Sequence, residues 1–294
     1  MSENEPSIRL LQGDCRELLP TLPADSVDLI FTSPPYADCR KSTYGGVPPE
    51  KYIEWFLPIG TELFRVLKPS GTCIINIKEN VVNGERSTYV IELILALRKL
   101  GWLHPEEYIW FKSNAAPGKW PNRFRDGWER LLQFTKSRRF SMYQDAVKVP
   151  PADSAKNRPR YATAKNQQRH LSATGSGMTR RTWIYKEMVY PSNVLHLPTE
   201  HGNKKHSAVF PEVLPEFFIK LFTLPGDTVL DPFAGSGTTG VVCRRLNRHF
   251  IGMEQHLEYV ELAKERIFST KTPQRISHND LSLLPLFASS TDGA

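Results

Sequence analysis

The 294-residue sequence predicts an α/β fold built on a parallel sheet, and three observations carry that prediction. Thr228-Val229-Leu230 is short and apolar like a buried strand. Asp231 to Gly240 then reads Asp-Pro-Phe-Ala-Gly-Ser-Gly-Thr-Thr-Gly, and Thr238 to Leu246 is competent to form a helix. The amino-terminal half alternates β-rich runs with segments of helical spacing, the pattern of a sheet covered by helices. Between these parts, Lys136 to His206 carries 14 Lys or Arg against 4 Asp or Glu, a local balance of +10 in a chain of net charge +7. A slightly acidic body therefore carries one basic segment.

Taken in order, Ile8 to Gln12 reads as a strand ending at Gly13-Asp14, and Arg16 to Leu19 as a short helix stopped by Pro20 and Pro23. Val27 to Thr32 is the next strand and runs into Ser33-Pro34-Pro35-Tyr36. The two prolines stiffen that exit and direct the flanking side chains to the carboxyl edge of the sheet, where ligands bind. Glu50 to Leu67 has helical spacing at Trp55, Ile59, Leu63 and Val66, and Pro69-Ser70-Gly71 ends it. Thr72 to Ile77 is a strand, Thr88 to Leu100 a helix closed by Gly101, and Glu107 to Phe111 and Glu129 to Phe134 are further strands.

Lys136 to Pro198 has no sustained periodicity. Trp183, Tyr185 and Tyr190 interleave there with Arg180, Arg181 and Lys186, a mixture suited to phosphate contact and base stacking, or to anchoring the segment on the body. Order returns at His206 to Pro211, followed by a helix from Glu212 to Thr223, the glycine unit, a strand from His249 to Met253 and a last helix from Tyr259 to Ile267. Only two strands belong to the glycine unit, so the remaining sheet must come from the amino-terminal half, as in a circular permutation. The expected domains are 1–135 with 199–270, an inserted region 136–198, and a tail 271–294.

Gly235, Gly237 and Gly240 have the spacing that lets a chain turn tightly, approach a ligand with bare backbone and pack a helix closely on a strand. A triphosphate-binding loop would need Lys then Ser or Thr after the last glycine, and Val241 and Val242 stand there instead. Glu254 follows the turn by about 20 residues, where a carboxylate can accept ribose hydroxyls. That fits a dinucleotide or S-adenosylmethionine equally well, and an ordinary α/β turn with a solvated glutamate remains the bland alternative. Cys15, Cys39, Cys73 and Cys243 form no CxxC pair, which reads as reduced thiols rather than staples or a zinc site. Met1 to Pro6 is acidic with no apolar core, and no stretch approaches the length of a membrane span, so a soluble, cytoplasmic protein is expected. The basic segment is the footprint of a polyanion, most simply nucleic acid, or else a solvated basic loop.

Ser33 to Tyr36 and Asp231 to Gly237, in that order with a basic region between them, resemble the DNA amino-methyltransferases of the β group, enzymes of bacterial restriction and modification. Gly13-Asp14, Leu67 to Gly71, Glu129 to Lys136 and His206 to Pro211 also resemble motifs of that family, so the likeness covers nearly the whole chain. It implies a Rossmann-like, circularly permuted methyltransferase sheet with an inserted target-recognition region. By this resemblance Phe233, Gly235 and Gly237 line the methionine and ribose portion of S-adenosylmethionine, Asp231 lies near its amino group, and Glu254 takes the ribose hydroxyls. Asp14 meets the adenine amino group, while Ser207 and Phe210 close the methionine end. Ser33, Pro34, Pro35 and Tyr36 hold and stack the target base, which must be flipped out of duplex DNA.

The candidate DNA contacts are Arg138, Arg139, Arg180, Arg181 and Lys186. The partners implied are double-stranded DNA and a cognate restriction endonuclease acting on the same site, with the enzyme a monomer or homodimer. Relatives with Ser first in the tetrapeptide mostly act on the amino group of cytosine, and those with Asp first mostly on adenine. The expected product is N4-methylcytosine, with N6-methyladenine the alternative; an RNA amino-methyltransferase, a nicotinamide-dependent oxidoreductase and an inactive DNA-binding module are more distant readings. No metal is required. Asp14, Asp38, Thr72 and Val242 precede the four cysteines, where attack on carbon 5 of cytosine would need a Cys after Pro.

Overall fold

A computed structural model describes residues 5–38, 46–82, 84–114, 118, 121–153, 169–171, 177–179, 185–199 and 210–271. The described residues fall into two compact units, one drawn from Met1–Tyr143 and Asn193–Ala294, the other from Gln144–Ser192. In chain order the strands are β1 (Ile8–Gln12), β2 (Val27–Thr32), β3 (Leu67–Ile77), β4 (Val81–Val82), β5 (Glu85–Arg86), β6 (Leu103–Lys112), β7 (Trp128–Thr135), β8 (Arg169–Leu171), β9 (Gly177–Thr179), β10 (Val194–Leu197), β11 (Thr228–Asp231) and β12 (His249–Glu254). The α-helices are α1 (Cys15–Leu18), α2 (Pro49–Val66), α3 (Tyr89–Lys99), α4 (Val213–Phe222), α5 (Thr238–Arg245) and α6 (Leu257–Ser269). Among the described residues no helix is long and apolar enough to cross a membrane.

The larger unit is organised by an eight-stranded sheet of order β1-β12-β11-β2-β3-β7-β6-β10. β2 is buried along almost its whole length because both of its faces are covered. Successive strand residues point to opposite faces. Ile30 accordingly joins the core cluster with Tyr52, Phe56 and Ile59 of α2, while Phe31 stacks on Phe218 of α4 at 5.6 Å between ring centroids. α2 buries Tyr52, Phe56, Ile59, Leu63 and Val66, a spacing of three and four that gives one apolar stripe. Pro58 lies inside this helix on its exposed side, away from the sheet.

The strand order reverses between β11 and β2. The chain runs outward from β2 to β3 on one side and from β11 to β12 on the other, and the crevice outside the carboxyl ends at such a point is where α/β sheets bind ligands. β1 completes the permuted arrangement by pairing in parallel with β12, from Ile8 opposite Phe250 to Gln12 opposite Glu254.

Three expectations are corrected. The sheet is mixed, because β7 runs antiparallel to both β3 and β6; apolar patterning does not encode strand direction. Pro20 does not stop the first helix, since a 3₁₀ turn over Leu19–Thr21 carries the chain through it and seats Leu19 in the core. Pro69-Ser70-Gly71 is a bulge inside β3 rather than a separate turn: Val27 pairs with Leu67 but Leu29 pairs with Thr72. A Cβ on Gly71 would sit 2.7 Å from Leu67 Cδ1 and 2.9 Å from the Asp28 carbonyl oxygen, so the bulge needs glycine. A further strand, β10, emerges from a stretch without readable periodicity and pairs in parallel with β6.

The smaller unit contains the β8–β9 hairpin and an antiparallel bridge between Val149 and Val189. Within it Tyr190 donates a hydrogen bond to Asp145 Oδ1 at 3.0 Å, and Lys148 lies 4.9 Å over the Tyr190 ring.

Candidate active site

The pairing of β1 with β12 brings two distant carboxylates to one edge. Gly13 N–H donates to the Glu254 carbonyl at 3.0 Å, and the next residue, Asp14, caps α1 by accepting from the Arg16 N–H at 2.9 Å. The hydrogen bond from the Arg16 side chain holds the Asp14 carboxyl below its ordinary range against the opposing effect of burial. Glu254 is 5% exposed, and its two oxygens accept backbone N–H groups, Oε2 from Gly235 at 3.0 Å and Oε1 from His256 at 2.9 Å. These bonds orient the Glu254 carboxylate at the cleft.

Asp14, Glu254, Trp55, Phe233, Met253 and Pro35 line an open cleft at this edge. Trp55 and Phe233 meet at 5.9 Å between centroids and supply an aromatic wall, with the two carboxylates as polar anchors. Two carboxylate acceptors beside an aromatic wall suit a flat heteroaromatic base carrying an amino group and a ribose.

The glycine turn is built from inside. Asp231 is 1% exposed and accepts from Thr32 Oγ1 at 2.8 Å, Thr239 Oγ1 at 2.8 Å and Phe233 N–H at 3.1 Å. Burial pushes its carboxyl up to about 6 despite these three donors. Asp231 therefore lies behind the cleft wall and determines how Phe233 leaves the strand. Gly235 has φ +51° with open space where a Cβ would stand, so it is conformation that calls for glycine there. Gly237, expected along the ligand, has φ +79°, and its Cβ would lie 2.8 Å from Ala263 Cβ; its spatial constraint comes from α6. Gly240 would put a Cβ 2.7 Å from Phe250 and still closer to Ile267, so it closes α5 onto β12 and α6.

Ser33 to Tyr36 follows Thr32 directly, so the bond from Thr32 to Asp231 ties the tetrapeptide to the glycine turn. Tyr52 donates to the Pro35 carbonyl at 3.0 Å from beneath. The Tyr36 hydroxyl donates to Glu129 Oε2 at 2.7 Å and lies 3.4 Å from Ser33 Oγ and 3.0 Å from Asn76 Nδ2. Glu129 is 7% exposed; it also accepts from Asn76 Nδ2 at 3.1 Å and from Lys112 Nζ at 2.5 Å. Burial first, and then the Glu129 charge, push the Tyr36 hydroxyl well above its ordinary range, so it remains a neutral donor. Its polar end is anchored at the back of a partly exposed ring. None of Asn76, Lys112 and Glu129 is named as a site residue from the sequence, because they come from three strands with no common spacing; the signals it offers are Asn76 as a polar residue in an apolar run and Glu129 at the start of the Glu129–Lys136 stretch that resembles a family motif.

Other candidates scatter. Phe210 packs edge-on against Phe31 at 5.4 Å, and Ser207 lies outside the described residues. Arg138 and Arg139 are exposed but follow the end of β7, where Thr135 pairs with Thr72 at the amino edge of the sheet, opposite the cleft. Lys186 is exposed in the smaller unit, and Arg180 and Arg181 lie outside the described residues.

Comparison with known proteins accords with this geometry. A family model described as DNA methylase matches residues 27–265. The type II methyltransferase M.PvuII of Proteus hauseri is 30% identical over 273 residues, covering 84% of this chain and 80% of its own, and M.SmaI of Serratia marcescens is 28% identical over 91% and 93%. Among solved structures, PvuII DNA methyltransferase (cytosine-N4-specific) superposes with a TM-score of 0.65 at 26% identity over 90% of this chain and 89% of that one. A DNA modification methylase from Thermus thermophilus, complexed with S-adenosyl-L-methionine, superposes with a TM-score of 0.60 at 26% identity over 91% and 95%. With its permuted α/β sheet and this match over most of its length, the chain belongs to the DNA methylase family.

Proposed function

We propose that the chain transfers a methyl group from S-adenosylmethionine to the exocyclic amino group of cytosine in double-stranded DNA, by direct in-line transfer to a flipped-out base. The observation that carries this reading is the bond of 2.8 Å from Thr32 to Asp231, which joins the Ser33 tetrapeptide to the ligand cleft across nearly 200 residues of sequence. Bound, S-adenosylmethionine supplies an electrophilic methyl on a sulfonium. Glu254 accepts the ribose hydroxyls, Asp14 meets the adenine amino group, and Trp55 and Phe233 provide the apolar wall. Asp231 acts on the cofactor indirectly, through the position of Phe233.

The lone pair of an aromatic amino group is delocalised into its ring and is a poor nucleophile. Ser33 Oγ and the Pro34 carbonyl accept the two amino hydrogens and favour a pyramidal nitrogen in the transition state. Tyr36 stacks on the base, its hydroxyl tethered by Glu129. Orientation alone supplies roughly 7–11 kcal/mol of such a barrier, so neither a strong base nor a metal is needed. Cytosine is preferred over adenine because Ser33 opens the tetrapeptide and the PvuII methyltransferase is cytosine-N4-specific.

The inserted region serves target recognition, with Lys186, Arg180 and Arg181 as DNA contacts; Arg138 and Arg139 belong to the larger unit and follow β7 at the edge opposite the cleft. The catalytic domain comprises residues 1–143 and 193–270, wider than the expected 1–135 and 199–270 because β10 pairs with β6 in the main sheet, and the insert narrows to 144–192. The expected partner is a restriction endonuclease cutting the same site. Mass spectrometry of nucleosides from duplex DNA incubated with the protein and deuteriomethyl-labelled S-adenosylmethionine tests the reading. Labelled N4-methylcytosine is the expected result. Labelled N6-methyladenine overturns the base assignment, and no label on any of several DNAs overturns the reaction.

A further inference from the structure

β7 runs antiparallel to β6, so the loop between them opens at the same edge as the cleft. The Lys112 N–H donates to the Gly127 carbonyl at 2.8 Å and pins the base of that loop, while Lys112 Nζ holds Glu129, the carboxylate that anchors Tyr36. Within the loop Phe124 is 96% exposed, between Arg123 and Arg125. A fully exposed phenylalanine gains nothing for the folded chain, since no apolar surface is removed from water. Two further aromatics, Phe111 and Trp128, pair across β6 and β7 at the foot of the loop and are 40% and 38% exposed.

The surrounding charge is cationic. Asp126 alone receives Arg86 at 2.7 Å, Arg123 at 3.3 Å and Lys78 at 3.6 Å, leaving two positive charges in excess over these four residues. These contacts also fix the loop to the β4–β5 hairpin, which carries Arg86. Phe124 is five residues from Glu129, a separation of at most about 18 Å even in fully extended chain. A cationic cluster that carries an exposed aromatic tip at the edge of the proposed base-binding site matches the composition of duplex wedges: arginines for phosphates, an apolar side chain between bases.

We infer that Phe124 is a base-displacing wedge, entering the duplex at the position vacated by the target base and holding that base in the Ser33–Tyr36 site, while the Arg86, Arg123 and Lys78 cluster faces the DNA backbone. This inference rests on the reading of the chain as a methyltransferase of duplex DNA. Unstacking a paired base costs a few kcal/mol, and a side chain that fills the gap lowers that cost. Such a wedge matters most when the target is well paired and least when pairing is already absent.

The test uses Phe124→Ala and Phe124→Trp in the full-length protein. Sequencing of wild-type product locates the modified site. Duplexes then carry that site with its target base paired normally or placed opposite an abasic position. On the normal duplex Phe124→Ala is expected to lower kcat/KM by about tenfold or more, with Phe124→Trp near wild type. On the abasic duplex Phe124→Ala is expected to recover to within about threefold of wild type, with S-adenosylmethionine affinity unchanged throughout. Wild-type activity of Phe124→Ala on the normal duplex, or equal impairment on both duplexes, overturns the wedge and leaves the methyltransferase reading intact. Failure of the wild type to modify any duplex overturns that reading and the wedge with it.

Discussion

Asp231 makes the fold pH-sensitive in a direction opposite to most carboxylates. Its carboxyl is pushed from an ordinary value near 3.8 up to about 6, with burial the largest cause, opposed by the Thr239, Thr32 and Phe233 donors and assisted by the charge of Glu254. Because the folded state holds the proton more tightly than the unfolded state, the contribution of this group to stability is greatest at low pH and is lost as pH rises through about 4 to 6. At 1.36 kcal/mol per unit, the full span amounts to about 3 kcal/mol, of which about 2 kcal/mol falls between about pH 4.5 and 7.5. Asp231→Asn keeps the shape and cannot titrate. Urea unfolding of both proteins across that range isolates the group, since every other titration is common to the two. The stability of Asp231→Asn relative to wild type should rise by about 2 kcal/mol toward the higher pH. Parallel stability curves, or a difference that falls with pH, would refute the reasoning, whatever the offset from exchanging a carboxylate for an amide.

Further expectations concern the site. Glu129→Gln and Tyr36→Phe each remove a hydrogen bond to a charged group worth about 1.5–3 kcal/mol, so kcat should fall by roughly tenfold or more while S-adenosylmethionine affinity stays unchanged. The double variant should lose little beyond either single one, and additive losses in steady-state kinetics would show that the two residues act separately. Glu254→Ala leaves the Gly235 and His256 N–H groups without their acceptor and should weaken cofactor binding in calorimetric titration more than Glu254→Gln does. Gly240→Ala should destabilise the fold by about 1–3 kcal/mol through overpacking against Phe250 and Ile267. Gly235→Ala meets open space and should cost only its left-handed conformation, about 1–2 kcal/mol, a ranking that thermal melts can check.

What was legible in the sequence is what leaves a local mark. The glycine turn is one case, because a positive φ at Gly235 and Gly237 and the close approach at Gly240 admit few other residues. That the amino-terminal half completes the sheet could be inferred by counting strands, since two strands alone cannot bury their faces, but which strand lies beside β12 could not. The direction of β7 was hidden, because an apolar strand reads the same in either sense. β10 was hidden because four residues are too few to display a period. The network of Asn76, Lys112 and Glu129 was invisible for a different reason: its members converge only through strand register, Asn76 lying opposite Leu131 and Trp110 opposite Glu129. The resemblance sets Asp231 near the amino group of the cofactor, whereas its burial behind Phe233, which no motif records, makes it a support of the turn.

The reversal at β7 decides which charges can matter to DNA. Had β7 followed β6 in parallel, a crossover would have carried Trp128 and Glu129 to the amino edge and left Tyr36 without its anchor. The hairpin instead returns the chain at the carboxyl edge, so Glu129 reaches the Tyr36 hydroxyl and the loop bearing Arg123, Phe124 and Arg125 opens beside the cleft. The same reversal sends the chain away again, and Arg138 and Arg139 emerge past Thr135 at the opposite edge. Net charge along the sequence ranks residues 136–206 as the basic segment and passes over Arg86, Arg123 and Arg125, which lie where the local sum is diluted by acidic neighbours. A polyanion, however, responds to the charge presented at one edge within about a Debye length, about 8–10 Å at physiological salt, and not to a running sum along the chain. Strand direction is therefore part of the electrostatic argument, because it determines which cations share an edge with the reacting base.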